Sequence, residues 1–392
     1  MSDKNIFHHL SDFLDIKRGP GLPSDHYSER GKFVRLTLGN FNYPNGGFKE
    51  NTSKDNIFYN GNVKSEYILK KGDLITPLTE QTEGLLGETA WIPEDNKYIQ
   101  NGDIGLVVPF EEKLDKIYCY YLLSSNLIKK QLSAGAQQTK IRHTSPDKIK
   151  ACVAPIPNID IQRKIGNILN SIDSQIKKND DMVQKLQVLS HNIFQFYYSK
   201  HSKKTVKLKD IVTMYQPETI TGNDFVSNGK YYVYGSGGII GKYNKYNHKD
   251  SELMISCRGK CGNIGLSLPC SWIIGNQMII KPNQIQLKYY LYNYFKIMNL
   301  NKIETGSVQK QITRSNLEKL EIQLLNENIL LSLANKLQPI HKQIIEITII
   351  NEKLNEIKNK LLPLLINQQL VWKKSYLNNL GRTFKLFQLI IN

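Results

Sequence analysis

Two segments of this chain carry apolar side chains alternately three and four residues apart, sustained over five heptads each. In the first, the a positions are Ile165, Ile172, Asn179, Leu186 and Ile193, and the d positions are Ile168, Gln175, Met182, Leu189 and Phe196. The second lies 168 residues on, with Leu333, Ile340, Ile347, Leu354 and Leu361 at a and Lys336, Gln343, Ile350, Ile357 and Leu364 at d. A 3.5-residue period of that length predicts two helices that pair as an antiparallel coiled coil. Thirty-six residues of helix make a rod of roughly 54 Å. The expected pairing or subunit-interface face is Ile165, Ile168, Ile172, Gln175, Leu186, Leu189 and Ile193 with Leu333, Ile340, Gln343, Ile347, Leu354, Ile357 and Leu361. Pro339 and Pro363 fall inside the second register and predict a kink or an early stop. Pairing within one chain is preferred, and a homodimer through the same helices is the alternative.

Outside these segments the pattern changes to short β-type runs broken by Gly, Pro and Asn, such as Asp73–Thr76, Ile104–Val108, Leu253–Ser256 and Met278–Ile280. Amphipathic stretches at Ile117–Leu132 and Leu287–Met298 predict helices among them. The chain therefore divides into a globular part at 1–157, a spacer helix at 158–200, a second globular part at 201–326 and a second spacer helix at 327–370. The tail 371–392 has no assigned role. The two halves echo each other. Leu10-Ser-Asp-Phe resembles Leu208-Lys-Asp-Ile, and Gly135-Ala-Gln-Gln-Thr-Lys-Ile resembles Gly306-Ser-Val-Gln-Lys-Gln-Ile. The expected fold is mixed α/β (α+β): two similar globular domains separated by two long helices, with a pseudo-two-fold internal repeat.

Charge sharpens this picture. The net charge is +17, of which residues 201–326 hold +9 and residues 1–157 only +1. An excess confined to one globular segment points to a polyanionic partner, although a lysine-rich surface in a Lys/Asn/Ile-biased composition would produce the same sum. No apolar run approaches the roughly 18 residues of a membrane span, and Met1–Leu10 has no export core. The five cysteines are odd in number and scattered, as in a cytoplasmic protein with reduced thiols. Cys257, Cys261 and Cys270 with His248 do not have zinc-knuckle spacing. Gly235-Ser-Gly-Gly-Ile-Ile-Gly-Lys242 matches neither a dinucleotide fingerprint nor a phosphate loop, and reads as a hairpin turn or a DNA-approach loop. There is no Asn/Asp-Pro-Pro-aromatic tetrapeptide of the kind that holds a flipped adenine, and no catalytic or metal residue is assigned.

The chain resembles the specificity (S) subunit of type I restriction–modification systems, up to about residue 370. The resemblance rests on the two-copy layout, on the Gly-x-x-Gln-x-x-Ile element closing each globular part, and on Tyr231-Tyr-Val-Tyr-Gly-Ser-Gly-Gly-Ile-Ile-Gly241 followed by Ile255-Ser-Cys-Arg-Gly-Lys-Cys-Gly262. It implies a sequence-specific DNA-binding subunit, not itself an enzyme. Its two target-recognition domains would each read half of a bipartite, asymmetric site on double-stranded DNA. The helices would set the spacer and dock two methyltransferase subunits, with restriction subunits joining the complex and no membrane involved. No cofactor is expected on this chain; S-adenosylmethionine and ATP with Mg belong to the partner subunits. Gln and Arg make bidentate bonds to base edges and Lys mainly holds phosphate, so the closing elements supply the contact candidates. These are Gln138, Lys140, Arg142 and His143 in the first copy and Gln309, Lys310, Gln311, Thr313 and Arg314 in the second. Thr76, Thr79 and Gln81, the hairpin residues Tyr231, Tyr234, Ser236, Gly237 and Lys242, and the loop residues Arg258 and Lys260 complete the set. The alternative for each Gln is a loop cap. The recognition subunit of another multisubunit restriction system is a second reading. An autonomous methyltransferase or nucleotide-binding enzyme is a third, which would need a cofactor loop.

Overall fold

The computed structural model describes residues 7–43, 46–52, 55–80, 84–134, 142–227, 229–306 and 310–369. They form two compact units: one from the residues up to Gln175 together with those from Leu354 onward, the other from Ile176–Lys353. In the first unit a four-stranded antiparallel sheet runs in the order Leu14–Arg18, Ile104–Pro109, Leu74–Pro77, Ala90–Trp91. Successive strand residues point to opposite faces, so Leu74 joins one core with Leu14, Val107, Tyr118 and Leu122, while Ile75 joins another with Val34, Leu36 and Tyr98. Both faces being covered explains the continuous apolar runs. A smaller sheet, Tyr27–Ser28, Phe58–Tyr59, Phe33–Arg35 and Tyr98–Ile99, ends in a parallel pair.

The second unit repeats the plan. Its main sheet has the order Val212–Tyr215, Gln277–Pro282, Leu253–Ser256, Ile264–Leu266. Its smaller sheet, Gly238–Tyr243, Tyr231–Gly235 and Trp272–Ile273, also ends in a parallel pair. In each unit the first strand pairs with the last before a long helix: Phe7–His9 with Val153–Pro155, and Lys203–Lys207 with Glu321–Leu325. The amphipathic stretch at Ile117–Leu132 is two helices, Lys116–Leu123 and Asn126–Ala134, rather than one. The hydroxyls of Ser124 and Ser125 donate to the Tyr120 and Leu122 carbonyls and end the first helix there.

The first long helix is Ile159–Lys200 and the second is Glu327–Ile366. The second runs through both Pro339 and Pro363, which corrects the expected early stop. Leu333, Leu337 and His341 are buried on either side of Pro339, and that packing outweighs the one helical bond a proline removes. The heptad face also needs correction. The a positions are buried or half-buried, as the period required, but the second stripe lies one residue beyond d. It consists of Leu169, Ile176, Val183, Ser190 and Tyr197 in the first helix and Leu337, Ile344, Asn351, Lys358 and Leu365 in the second. Leu189 is 47% exposed and Gln343 is exposed, so neither lies in the pairing seam. The helices pack against globular cores as well as each other, and that demands a broader face than a two-residue seam.

Polar bonds fix the pairing inside each unit. In the first, the Lys358 ammonium reaches the Asp173 carboxylate at 2.7 Å, and the Tyr121 hydroxyl donates to the same carboxylate. In the second, the amide of Asn179 donates to Asn351, that of Asn351 to the Ile176 carbonyl and Asp180, and Ser190 bonds His341 at 2.9 Å. In the second unit partner numbers fall as the first helix advances, from Asn179 with Asn351 to Ser190 with His341, so the helices are antiparallel there.

Candidate nucleic-acid interface

In the second unit, three loops meet at one end of the globular part. The turn after Tyr231–Gly235, the loop following Leu253–Ser256 and the segment before the helix Arg314–Glu318 are held by a short set of bonds. Ser256 Oγ and Asn263 Nδ2 both donate to the Ser236 carbonyl, at 2.9 and 3.2 Å. Gln277 Nε2 donates to the Gly235 carbonyl, and the Ile312 amide to the Cys257 carbonyl. Arg258 pairs with Gln311 as an isolated antiparallel bridge, and Cys261 Sγ donates to the Lys310 carbonyl at 3.1 Å. Gly259 lies at φ +78°, and a Cβ there would come 3.0 Å from Ser236 Oγ. The positive φ favours glycine here, and a side chain would also press on the Ser236 hydroxyl.

Six of the candidates, Ser236, Gly237, Arg258, Lys260, Lys310 and Gln311, share this edge. Arg258, Lys260, Lys310 and Gln311 are exposed. Lys310 pairs with Glu304 at 3.2 Å, whereas neither Arg258 nor Lys260 meets a carboxylate among the described residues. Burial raises the Cys257 thiol pKa, while the Gln216 amide and the Arg258 guanidinium act to lower it. Two unanticipated amides flank the loop. Gln216 Nε2 donates to Cys257 Sγ and the Gly275 carbonyl, and Asn263 is fixed on Ser236 as above. Both were invisible in the sequence because what distinguishes them is their backbone anchors, which arise only on folding.

Other candidates sit elsewhere. Tyr234 is core, its hydroxyl accepting from the Leu268 amide, so it is not a surface contact. Tyr231 packs edge-on against Tyr246, and Lys242 lies over the Tyr232 ring. Thr313 caps its helix by accepting from the Asn316 amide, and Arg314 pairs with Glu318 at 2.7 Å. In the first unit Thr76 and Thr79 are only 1% and 4% exposed, so they are strand-core residues rather than groove contacts. Thr76 Oγ1 donates to the Glu88 carbonyl at 2.8 Å. Thr79 pairs with His143 and Glu80 with Arg142 across a two-residue ladder, and Arg142 reaches the buried Glu80 carboxylate at 3.6 Å. His143 is exposed. Gln81, Gln138, Lys140 and Gln309 lie outside the described residues. His248 bonds Tyr215, Cys257 is buried, and no metal-holding cluster of His, Cys, Asp or Glu occurs among the described residues.

Two copies of one α/β unit, each joined to paired stretches of the long helices and one bearing an exposed edge on which Arg258 and Lys260 meet no carboxylate among the described residues, make a duplicated protein whose layout suits a polyanionic partner. The chain belongs to the type I restriction modification DNA specificity family, whose domain model matches residues 2–187 and again 200–359. A Methanocaldococcus jannaschii protein provisionally named as the type I restriction enzyme MjaX specificity subunit is 22% identical over 362 residues, covering 82% of each chain. The MjaVIII specificity subunit of the same organism is 29% identical over 131 residues, 32% of this chain and 30% of that one. The S subunit of a type I restriction–modification system from M. genitalium has the same fold, with a TM-score of 0.59 at 15% identity over 93% of this chain and 98% of that one. No helix among the described residues is long and apolar enough to cross a membrane.

Proposed function

We propose that this chain is the non-catalytic, DNA-reading subunit of a type I restriction–modification complex. Residues 1–157 read one half of a bipartite, asymmetric site and residues 201–326 the other. The observation that carries this reading is the exposed edge of Arg258, Lys260, Lys310 and Gln311, two of whose cations have no carboxylate partner among the described residues. Cations held on a folded edge attract phosphate, and polar side chains beside them reach base edges. Two methyltransferase subunits dock on the long helices. The exposed d positions Met182, Leu189 and Phe196 supply an apolar stripe of the kind a protein partner covers. S-adenosylmethionine is held by those subunits, and ATP with Mg by the restriction subunits. The work is cytoplasmic, in keeping with five unpaired cysteines.

The test is an exchange of residues 201–326 for those of a relative with a different site, followed by mapping of methylated positions after co-expression with the methyltransferase subunit. One half-site should change and the other should stay. A change in both halves, or in neither, overturns the reading.

A further inference from the structure

We infer that Asn263 and Gln216 are base-reading residues of the second recognition domain, with Asn263 taking adenine; this rests on the DNA-reading function proposed above. Both are exposed, both flank the loop that carries Arg258 and Lys260, and both are held by backbone or buried acceptors rather than by other surface side chains. Those acceptors also decide which way each amide faces, since a carbonyl oxygen can only receive a hydrogen.

The two amides are left with different capacities. Gln216 Nε2 spends both hydrogens, one on Cys257 Sγ at 3.1 Å and one on the Gly275 carbonyl at 2.9 Å. That leaves its oxygen as the atom still able to bond, and an acceptor matches the exocyclic amine of adenine or cytosine. Asn263 Nδ2 spends one hydrogen on the Ser236 carbonyl at 3.2 Å. It retains one N–H and a carbonyl oxygen with no hydrogen-bond partner among the described residues, which is the donor–acceptor pair that fits N7 and the N6 amine of adenine. The Ser236 anchor belongs to the glycine turn pressed against Gly259, so the amide is oriented before DNA arrives and loses little freedom on binding. Lys260, on the same loop, has no such anchor and is suited to phosphate.

The experiment uses the full chain assembled with its methyltransferase subunits. Competition binding is measured against the duplex found by methylation mapping and against duplexes with each single base pair changed in the half-site assigned to residues 201–326. Asn263→Ala should weaken binding to the cognate duplex roughly tenfold or more. It should then bind equally well whichever base replaces one particular adenine, while the other half-site is read as before. Lys260→Ala should weaken all duplexes alike and reduce the salt slope by about one. Undiminished discrimination at every position by Asn263→Ala, or uniform weakening across all duplexes, overturns the inference while leaving the DNA-reading function standing. A wild-type complex that discriminates among no duplexes overturns that function, and the inference with it.

Discussion

His341 enters the helix seam as a neutral ring. It is 1% exposed, stacked on Tyr289 at 4.3 Å between centroids, and bonded to Ser190. Burial first, then Lys296 and Lys288, hold its pKa down to about 4. An unfolded chain binds that proton near pH 6.5, so stability from this residue is complete above that value. It is lost progressively as the pH falls, until the folded state is protonated too, near 4. At pH 5 the loss is about 2 kcal/mol. Urea midpoints at pH 7 and pH 5 should therefore differ by more in the wild type than in His341→Gln. Equal differences would mean that the ring is not what senses pH. The same residue shows what sequence could not supply. Position 341 follows the a residue Ile340 and precedes Lys342 and Gln343, and nothing in the spacing says that its ring turns inward to Ser190.

At the level of elements, both long helices and most short runs were legible, because periods of 3.5 and 2 report burial directly. The run Leu253–Ser256 is a strand to the residue, and Leu287–Ile297 is a helix. The choice between d and its neighbour was not legible. It depends on a third surface, the globular core, against which Leu169, Leu337 and Leu365 pack. Thr76 and Thr79 failed as candidates for a related reason: a polar residue beside a strand looks the same in sequence whether its hydroxyl faces water or a buried carbonyl. The shifted seam gives a prediction. Ile172→Asp places a charge at a site 8% exposed and should cost about 3 kcal/mol or more, lowering the melting temperature of the isolated chain. Leu189→Asp should leave that melting temperature unchanged yet weaken co-purification with the methyltransferase subunit. Lys178→Ala, on the exposed face, should do neither. If Leu189→Asp assembled normally, the exposed stripe would not be the docking face.

For the whole molecule, the proposal that the helices set the unread gap between half-sites can be tested by length. Because the partners are antiparallel, an insertion in one helix alone would slide Ser190 and Tyr197 off His341 and Ser332. Four helix-forming residues should therefore be added to both, after Asp181 and after Ile349. This lengthens each by roughly 6 Å, against about 3.4 Å per base pair. Methylation mapping should find the same two half-sites with one or two more base pairs between them. An unchanged gap would mean that the helices are not the ruler.

The polar bonds of the seam have one more consequence, for which chains can marry. Advancing by 168 residues turns Asp173 into His341 and Ser190 into Lys358. The bonds Asp173–Lys358 and Ser190–His341 are therefore images of one another, each joining a residue of one copy to a non-equivalent residue of the other. Two second halves brought together would set the His341 imidazole against a Lys358 ammonium with no carboxylate between them. Two first halves would leave Asp173 facing a serine in place of a cation. Duplication followed by divergence has made each half a poor mate for itself and a good one for its sibling. Fusing the siblings in one polypeptide then delivers them in equal number, so two unlike halves are matched every time the gene is translated.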